Sequence, residues 1–474
     1  YNLSGNFLDQ KGIIDNGNRF QRLFLQGKVE ADVTDWFRLG VNLNARYTDN
    51  HDVPEGWVYA QHGLEMPPIF PVVTEQGYAG GPRTLGADSR YPTTTPGIDT
   101  YEGVYFTTNP NPFAWDNDED NRSSTKTQGT IFTEFTLADG LQFRTTYMMD
   151  QSRGDNSFYR AVDRNLPFAT FPGDLSRSWD KNIHWYLNNR ITYNKSFLQD
   201  HEIDFVAGMD VEKTTRLGFN ARSSGFENDL TPFLSVAQVP TSNGDSKSIT
   251  TYRSYFARAN YIFRDRYIIK GSVRYDASSR FGTNNRWGSF PSVGLGWIIS
   301  EEPFMQNISL IDNLKFRASF GLTGNNNFGD YIWIPRLNQG TTAIGGNLNT
   351  FFNKGSLPNP DLRWEKTGMF NIGFDLSMLN NRLSLVVDMY QSKTEDLLLN
   401  LPISSLTGFT SLLQNVGSIQ NRGIELGINT INISKNDLEW NTNFNFALNR
   451  GKAIDLGGEE FVEPTGSAGF QVRA

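Results

Sequence analysis

In LFLQGKVEADV (Leu23–Val33), the positions Leu23, Leu25, Gly27, Val29, Ala31 and Val33 fall on one side of an extended chain. Phe24, Gln26, Lys28, Glu30 and Asp32 fall on the other. After Thr34-Asp35-Trp36 the pattern resumes in FRLGVNLNARYT (Phe37–Thr48), where Phe37, Leu39, Val41, Leu43, Ala45 and Tyr47 alternate with Arg38, Gly40, Asn42, Asn44 and Arg46. Successive side chains of a strand point to opposite faces, so strict alternation marks a sheet whose two faces meet different surroundings. Three polar or aromatic residues between two such runs make a tight antiparallel hairpin.

Working outward, the same pattern defines about fifteen strand segments: 1–10, 19–33, 36–49, 128–138, 140–153, 182–195, 200–214, 249–264, 266–276, 287–300, 313–323, 364–379, 382–394, 419–433 and 437–449. A short helix is expected only within 56–66. The links alternate in length. Tight turns at Asp139, Asp265 and Asn380-Asn381 contrast with long connections over Asn50–Thr127, Gly154–Lys181, Thr215–Ser248, Gly324–Arg363 and Glu395–Ser418. Odd and even links of an antiparallel meander emerge at opposite ends, so short turns gather at one end and long loops at the other. Outer-membrane barrels have that asymmetry. A sheet crossing hydrocarbon must pair every backbone amide, and so must close. The fold class expected is all-β, an antiparallel transmembrane β-barrel, with 1–474 as part of one barrel domain and the closing strands outside it. Trp36, Trp185, Trp287, Trp297, Trp364 and Trp440 lie in or beside strands and suit an interfacial aromatic girdle. The competing reading makes them core anchors of a soluble β-protein.

Composition narrows the choice. Aromatic residues make up 13% of the 474 positions at a mean hydropathy of −0.46. So many rings argue against disorder. No stretch approaches the roughly 20 apolar residues of a spanning helix. The net charge of −8 offers nothing for nucleic acid, and the lack of cysteine removes disulfides and thiolate chemistry. The four histidines, His51, His62, His184 and His201, form no HExxH pair, and no nucleophile elbow or phosphate-binding loop occurs, so no enzymatic activity is expected.

Several blocks resemble one family. GSVRYDASSRFGTNNRWGSFPSVGLGWIISEEPF (Gly271–Phe304) is similar to a stretch of the SusC/RagA-like TonB-dependent outer-membrane transporters. So are YNLSGNFLDQKGII (Tyr1–Ile14), LKFRASFGLTGNN (Leu314–Asn326), LPNPDLRWE (Leu357–Glu365), NNRLSLVVDMYQSKTEDLLL (Asn380–Leu399) and NVGSIQNRGIE (Asn415–Glu425), in the family's order. The resemblance implies a barrel of about 22 strands with an N-terminal plug, in the outer membrane of a Gram-negative bacterium. It further implies a SusD-like surface lipoprotein as lid, a TonB complex as energy source, and an oligosaccharide or peptide as cargo. The plug, the TonB-contacting box and the closing strands have no counterpart in these blocks.

Candidate site residues sit in the long loops. Trp57, Tyr59, Tyr101, Trp115, Tyr331 and Trp333 offer faces that could stack on sugars or peptide side chains, or simply pack the loops together. Asp116, Asp118 and Asp120 match the first ligand positions of a calcium loop, but Asn121 and Thr127 stand where glycine and glutamate are required. An irregular structural calcium site and a solvated acidic loop both remain open there. Two other functions compete with active import. One is a passive porin or a docking barrel for surface lipoproteins. The other is a soluble glycan-binding β-protein, which would bury rows such as Leu39/Val41/Leu43 against a second sheet.

Overall fold

The computed structural model describes residues 1–12, 18–52, 118–162, 173–435 and 437–457, together with the strand pairs 73–74/77–78 and 461–462/472–473. Fifteen strands form one antiparallel meander. They are β1 (Asn2–Lys11), β2 (Arg19–Thr34), β3 (Phe37–Asp52), β4 (Glu119–Ala138), β5 (Leu141–Arg160), β6 (Asp174–Phe197), β7 (His201–Ser224) and β8 (Val239–Phe263). They continue as β9 (Tyr267–Ser278), β10 (Trp287–Ile298), β11 (Ile311–Asn325), β12 (Glu365–Met378), β13 (Leu383–Glu395), β14 (Ser418–Lys435) and β15 (Leu438–Asp455). Each strand pairs with its sequence neighbours, leaving β1 and β15 at the two edges.

Three of the turn-end hairpins carry adjacent positive φ values, at Leu198-Gln199 (52° and 61°), Arg264-Asp265 (52° and 53°) and Asn380-Asn381 (57° and 60°). Two adjacent positive φ values give the turn a twist that matches the strands it joins. Only the β10–β11 link is longer there, with a 3-10 turn at Ile299–Glu301.

At the loop end the strands outrun the sequence pattern. The expected loops over 154–181 and 215–248 are largely strand: β5 runs to Arg160, β6 starts at Asp174, β7 ends at Ser224 and β8 starts at Val239. Likewise β4 begins at Glu119 rather than at 128. The reason is physical. Beyond the bilayer both faces meet water, so hydropathy stops alternating while the backbone ladder continues. At roughly 3.3 Å per residue and a tilt near 40°, each residue climbs about 2.5 Å. β6–β8 therefore stand about 60 Å tall, about twice the hydrocarbon thickness.

The two faces differ as the alternation demands. Leu25, Val29, Val41, Leu43, Ile131, Ile269, Val293 and Leu295 all lie bare on the outer face, Val41 at 44% and Leu43 at 52% exposure. They are not pressed against a second sheet. A soluble protein rarely leaves an apolar surface this extensive uncovered, so the soluble reading fails. The inner face is polar and ion-paired: Arg38–Glu30 at 2.6 Å, Lys126–Asp150 at 3.0 Å, Arg144–Glu134 at 3.2 Å, and Arg317 with Asp375 at 2.8 Å and Asp388 at 3.1 Å.

The tryptophans divide. At the turn end Trp36 stacks near Phe37 and Phe135, while Trp297 donates its indole N–H to Glu302 Oε1 at 3.0 Å. Trp440 is exposed, and at the loop end Trp287 stacks on Tyr275 at 4.5 Å. These positions suit a girdle. Trp364 does not: it is a buried core anchor.

Candidate functional site: the loop-side vestibule

Over the inner wall of β8–β13 the loops fold back and pack. The core there is Phe281, Phe290, Leu362 and Trp364, with Phe328, Ile332, Trp333, Leu398 and Leu413 against it. Sequence blocks far apart along the chain meet in it. A Cβ built on Gly282 would lie 2.3 Å from the carbonyl oxygen of Pro360, so RFG and NPDLRWE touch only because residue 282 has no side chain. Trp364 Nε1 donates to the Arg286 carbonyl at 2.9 Å. Asn415 Nδ2 donates to the carbonyls of Arg363, at 2.7 Å, and Asp396, at 2.9 Å, while its Oδ1 accepts from Arg363 N. Asp396 also lies 2.6 Å from the Arg363 guanidinium and holds that group's pKa above its ordinary value.

A second set of contacts pins the 326–333 segment to the wall. Asp330 takes the Thr250 hydroxyl at 2.9 Å and Arg280 Nε at 3.1 Å, with Arg216 at 3.9 Å. Asn326 donates to Tyr252 Oη at 3.2 Å and Ser278 Oγ at 3.0 Å. Beside this platform opens a cleft of about 540 Å³, bounded by the hairpins Arg336–Ile344/Asn347–Ser356 and Leu398–Pro402/Ser411–Asn415. Its walls alternate apolar surfaces (Phe328, Ile332, Leu413) with Asn327, Arg336, Asn400 and Thr410. Such a wall suits a polar oligomer with some apolar surface.

The expected ring contacts resolve unevenly. Tyr331 is half-buried; its hydroxyl donates to the Ile249 carbonyl at 3.2 Å and accepts from the Ile249 amide at 2.8 Å. Trp333 Nε1 donates to the Ser279 carbonyl at 3.3 Å, and its ring packs on the core. Both rings anchor the platform beside the cleft. Trp57, Tyr59, Tyr101, Trp115, Asp116 and the 56–66 segment lie outside the described residues. Asp118 accepts the Ala161 amide at 2.8 Å, and both oxygens of Asp120 accept from Arg122. A calcium ion at Asp120 would have to displace that guanidinium. No group of three or more acidic or histidine side chains suited to a metal occurs among the described residues. The Asp330–Arg280–Arg216–Thr250 cluster has no signature in the sequence, because its members are scattered along the chain and none belongs to a local motif.

Comparison with known proteins places this architecture. Residues 70–469 match the family model of the TonB dependent receptor-like β-barrel. The chain belongs to that family. It is 31% identical over 97% of its length to TonB-dependent receptor P39 of Formosa agariphila, covering 42% of that protein. It is 28% identical to the same organism's receptor P26, over 98% of this chain and 45% of the relative. TonB-dependent receptor SusC of Bacteroides thetaiotaomicron matches at 28% over 60% of this chain and 29% of its own. A solved structure of the RagAB peptide transporter superposes with a TM-score of 0.77 at 23% identity, covering 99% of this chain and 51% of that one. The chain thus spans less than half the length of the P39 and P26 receptors.

Proposed function

We propose that this chain forms the greater part of the barrel of an outer-membrane importer, driven by TonB, that takes up oligosaccharides or peptides. The observation that carries the reading is the pairing of a bare apolar outer face with a charged, ion-paired inner face across fifteen strands. A wide lumen with polar walls passes hydrophilic cargo, and two free edges are costly in lipid, so further strands pair with β1 and β15. The vestibule cleft lies on the inner side at the loop end, where arriving cargo would meet it. Kinship with SusC and the RagAB likeness support a SusD-like lipoprotein as the partner over that mouth. Structural calcium held by Asp116, Asp118 and Asp120 belongs to the same proposal, and would require the Arg122 guanidinium to leave Asp120.

The test is deletion of the full-length gene, followed by growth on defined glycan and peptide oligomers. Loss of uptake of one oligomer class, reproduced by removing TonB, is expected. A passive porin would leave uptake unchanged without TonB. Extraction of the protein into buffer without detergent would overturn the barrel itself.

A further inference from the structure

Above the apolar band, the outer wall of β5–β8 becomes cationic. Strand register sets Arg153, Lys181, Leu217 and Lys247 side by side. Lower on the same face, Trp185 pairs with Lys213, which pairs with Thr251, and Arg253 is the next outward residue of β8. With about 2.5 Å of climb per residue, Arg253 stands about 25 Å above the turn end of its strand, Lys213 and Arg153 about 30 Å, and Lys181 and Lys247 about 40 Å. That interval begins where hydrocarbon ends and covers the depth of a headgroup layer.

Lys181, Lys213, Lys247 and Arg253 have no carboxylate within 4.0 Å among the described residues; Arg153 alone is matched, by Asp155 at 2.7 Å. The turn end of the outer wall is different. Lys195 meets Asp139 at 2.8 Å and Arg264 meets Asp200 at 3.2 Å. On β14 and β15 the asymmetry recurs, where outward Arg422 and Arg450 face each other directly. Like charges opposite one another are unfavourable unless an anion lies between them.

The row above the β5–β8 cations is Asp155, Trp179, Phe219 and Asp245, with the Trp179 and Phe219 rings 6.2 Å apart and 20° from parallel. These rings line a cleft of about 360 Å³ together with Arg177 and Leu234. Cations at headgroup depth, a flat aromatic face above them and an apolar wall below follow the order of phosphate, sugar and acyl chain.

We propose that the outer wall of β5–β8 binds a phosphorylated glycolipid of the surrounding leaflet. Lys181, Lys213, Lys247 and Arg253 take its phosphates, the Trp179–Phe219 face takes a sugar ring, and Tyr147, Leu187 and Val211 lie along its acyl chains. The inference rests on the reading of this sheet as a membrane-spanning barrel. Ammonium and guanidinium groups bind phosphate strongly, and basic side chains at a membrane surface each add to anionic-lipid affinity.

The test uses the full-length protein in detergent micelles, with diphosphorylated lipid A as the probe and the same lipid after enzymatic dephosphorylation as its control. Lipid retained per protein is measured for the wild type and for the combined variant Lys181→Gln, Lys213→Gln, Lys247→Gln, Arg253→Gln. The wild type should hold the phosphorylated lipid at least about tenfold more tightly than the dephosphorylated one, and the variant should lose that preference. Equal binding of the two lipids by the wild type overturns the proposal, as does a folded variant with undiminished preference. Displacement of the lipid by millimolar inorganic phosphate would also overturn it, because the site would then be one for free anions. If the variant does not fold, the comparison of the two lipids on the wild type decides alone. Membrane fractionation of the wild type is read separately, so failure of the barrel reading is distinguishable from failure of lipid binding.

Discussion

Replacing Val41 by arginine puts a charge where the structure places bare apolar surface. Val41 faces outward from β3, directly opposite Val29 on β2 and Ile131 on β4. Four residues above the strand's turn end, at about 2.5 Å each, set it about 10 Å into an apolar band about 25 Å tall. Near the middle of such a band an arginine costs about 2–4 kcal/mol, falling to about 0–1 kcal/mol at the interfaces. Leu385, also outward, lies only about 5 Å above the start of β13. Its replacement by arginine should therefore cost about 1 kcal/mol, because the long side chain can reach the interface. Asn42, next to Val41, faces the polar lumen, so Asn42→Arg should cost less than Val41→Arg. The assay is guanidinium-induced unfolding of the full-length protein in lipid vesicles, followed by tryptophan fluorescence, with heat-modifiable electrophoretic mobility as the check on folding. The expected order of destabilisation is Val41→Arg above Leu385→Arg, and Val41→Arg above Asn42→Arg. If Val41→Arg cost no more than Asn42→Arg, the outer face would not be in lipid and the reasoning would fail.

Three further outcomes follow from the loop and turn contacts. Gly282→Ala should shift the 357–364 segment, since the new Cβ would sit 2.3 Å from Pro360 O; a loss of about 1–3 kcal/mol and faster proteolysis within 357–364 would show it. Asp330→Asn removes the charge shared by Arg280 and Arg216 and should speed amide exchange over Phe328–Ile334 while leaving the β8–β9 ladder protected. Glu302 is held below its ordinary carboxylate pKa by the Tyr267 hydroxyl, the Trp297 indole N–H and Arg266. A depressed folded-state pKa contributes stability above the unfolded value and loses it as pH falls through the folded one. Exchange of the Trp297 indole proton should therefore accelerate on acidification below the ordinary glutamate range, and Glu302→Gln should remove that dependence.

What the sequence determined by itself is the part of the protein governed by local rules. Period-two alternation from Leu23 to Tyr47 and its repeats define the fifteen strands and their two faces, because a strand's side chains reverse direction at every residue regardless of what surrounds them. Link lengths define the two ends, because an antiparallel meander has no other choice. Alternation reports only where the two faces meet different media. Above the bilayer that contrast vanishes, so the tops of β4–β8 read as loops and only the backbone ladder reveals them. The tertiary structure alone decided which rings are anchors: Trp364 carries the same local signal as Trp287, yet one is buried under the vestibule and the other lies on the outer face. It alone joined Asp330 to Arg280 and Thr250, and Gly282 to Pro360. Register across many strands set Lys181 and Lys247 on either side of Leu217, and Lys213 beside Trp185. Contacts between residues so distant in the chain depend on how the sheet is paired and how its loops fold back, and neither leaves a mark on the neighbouring sequence.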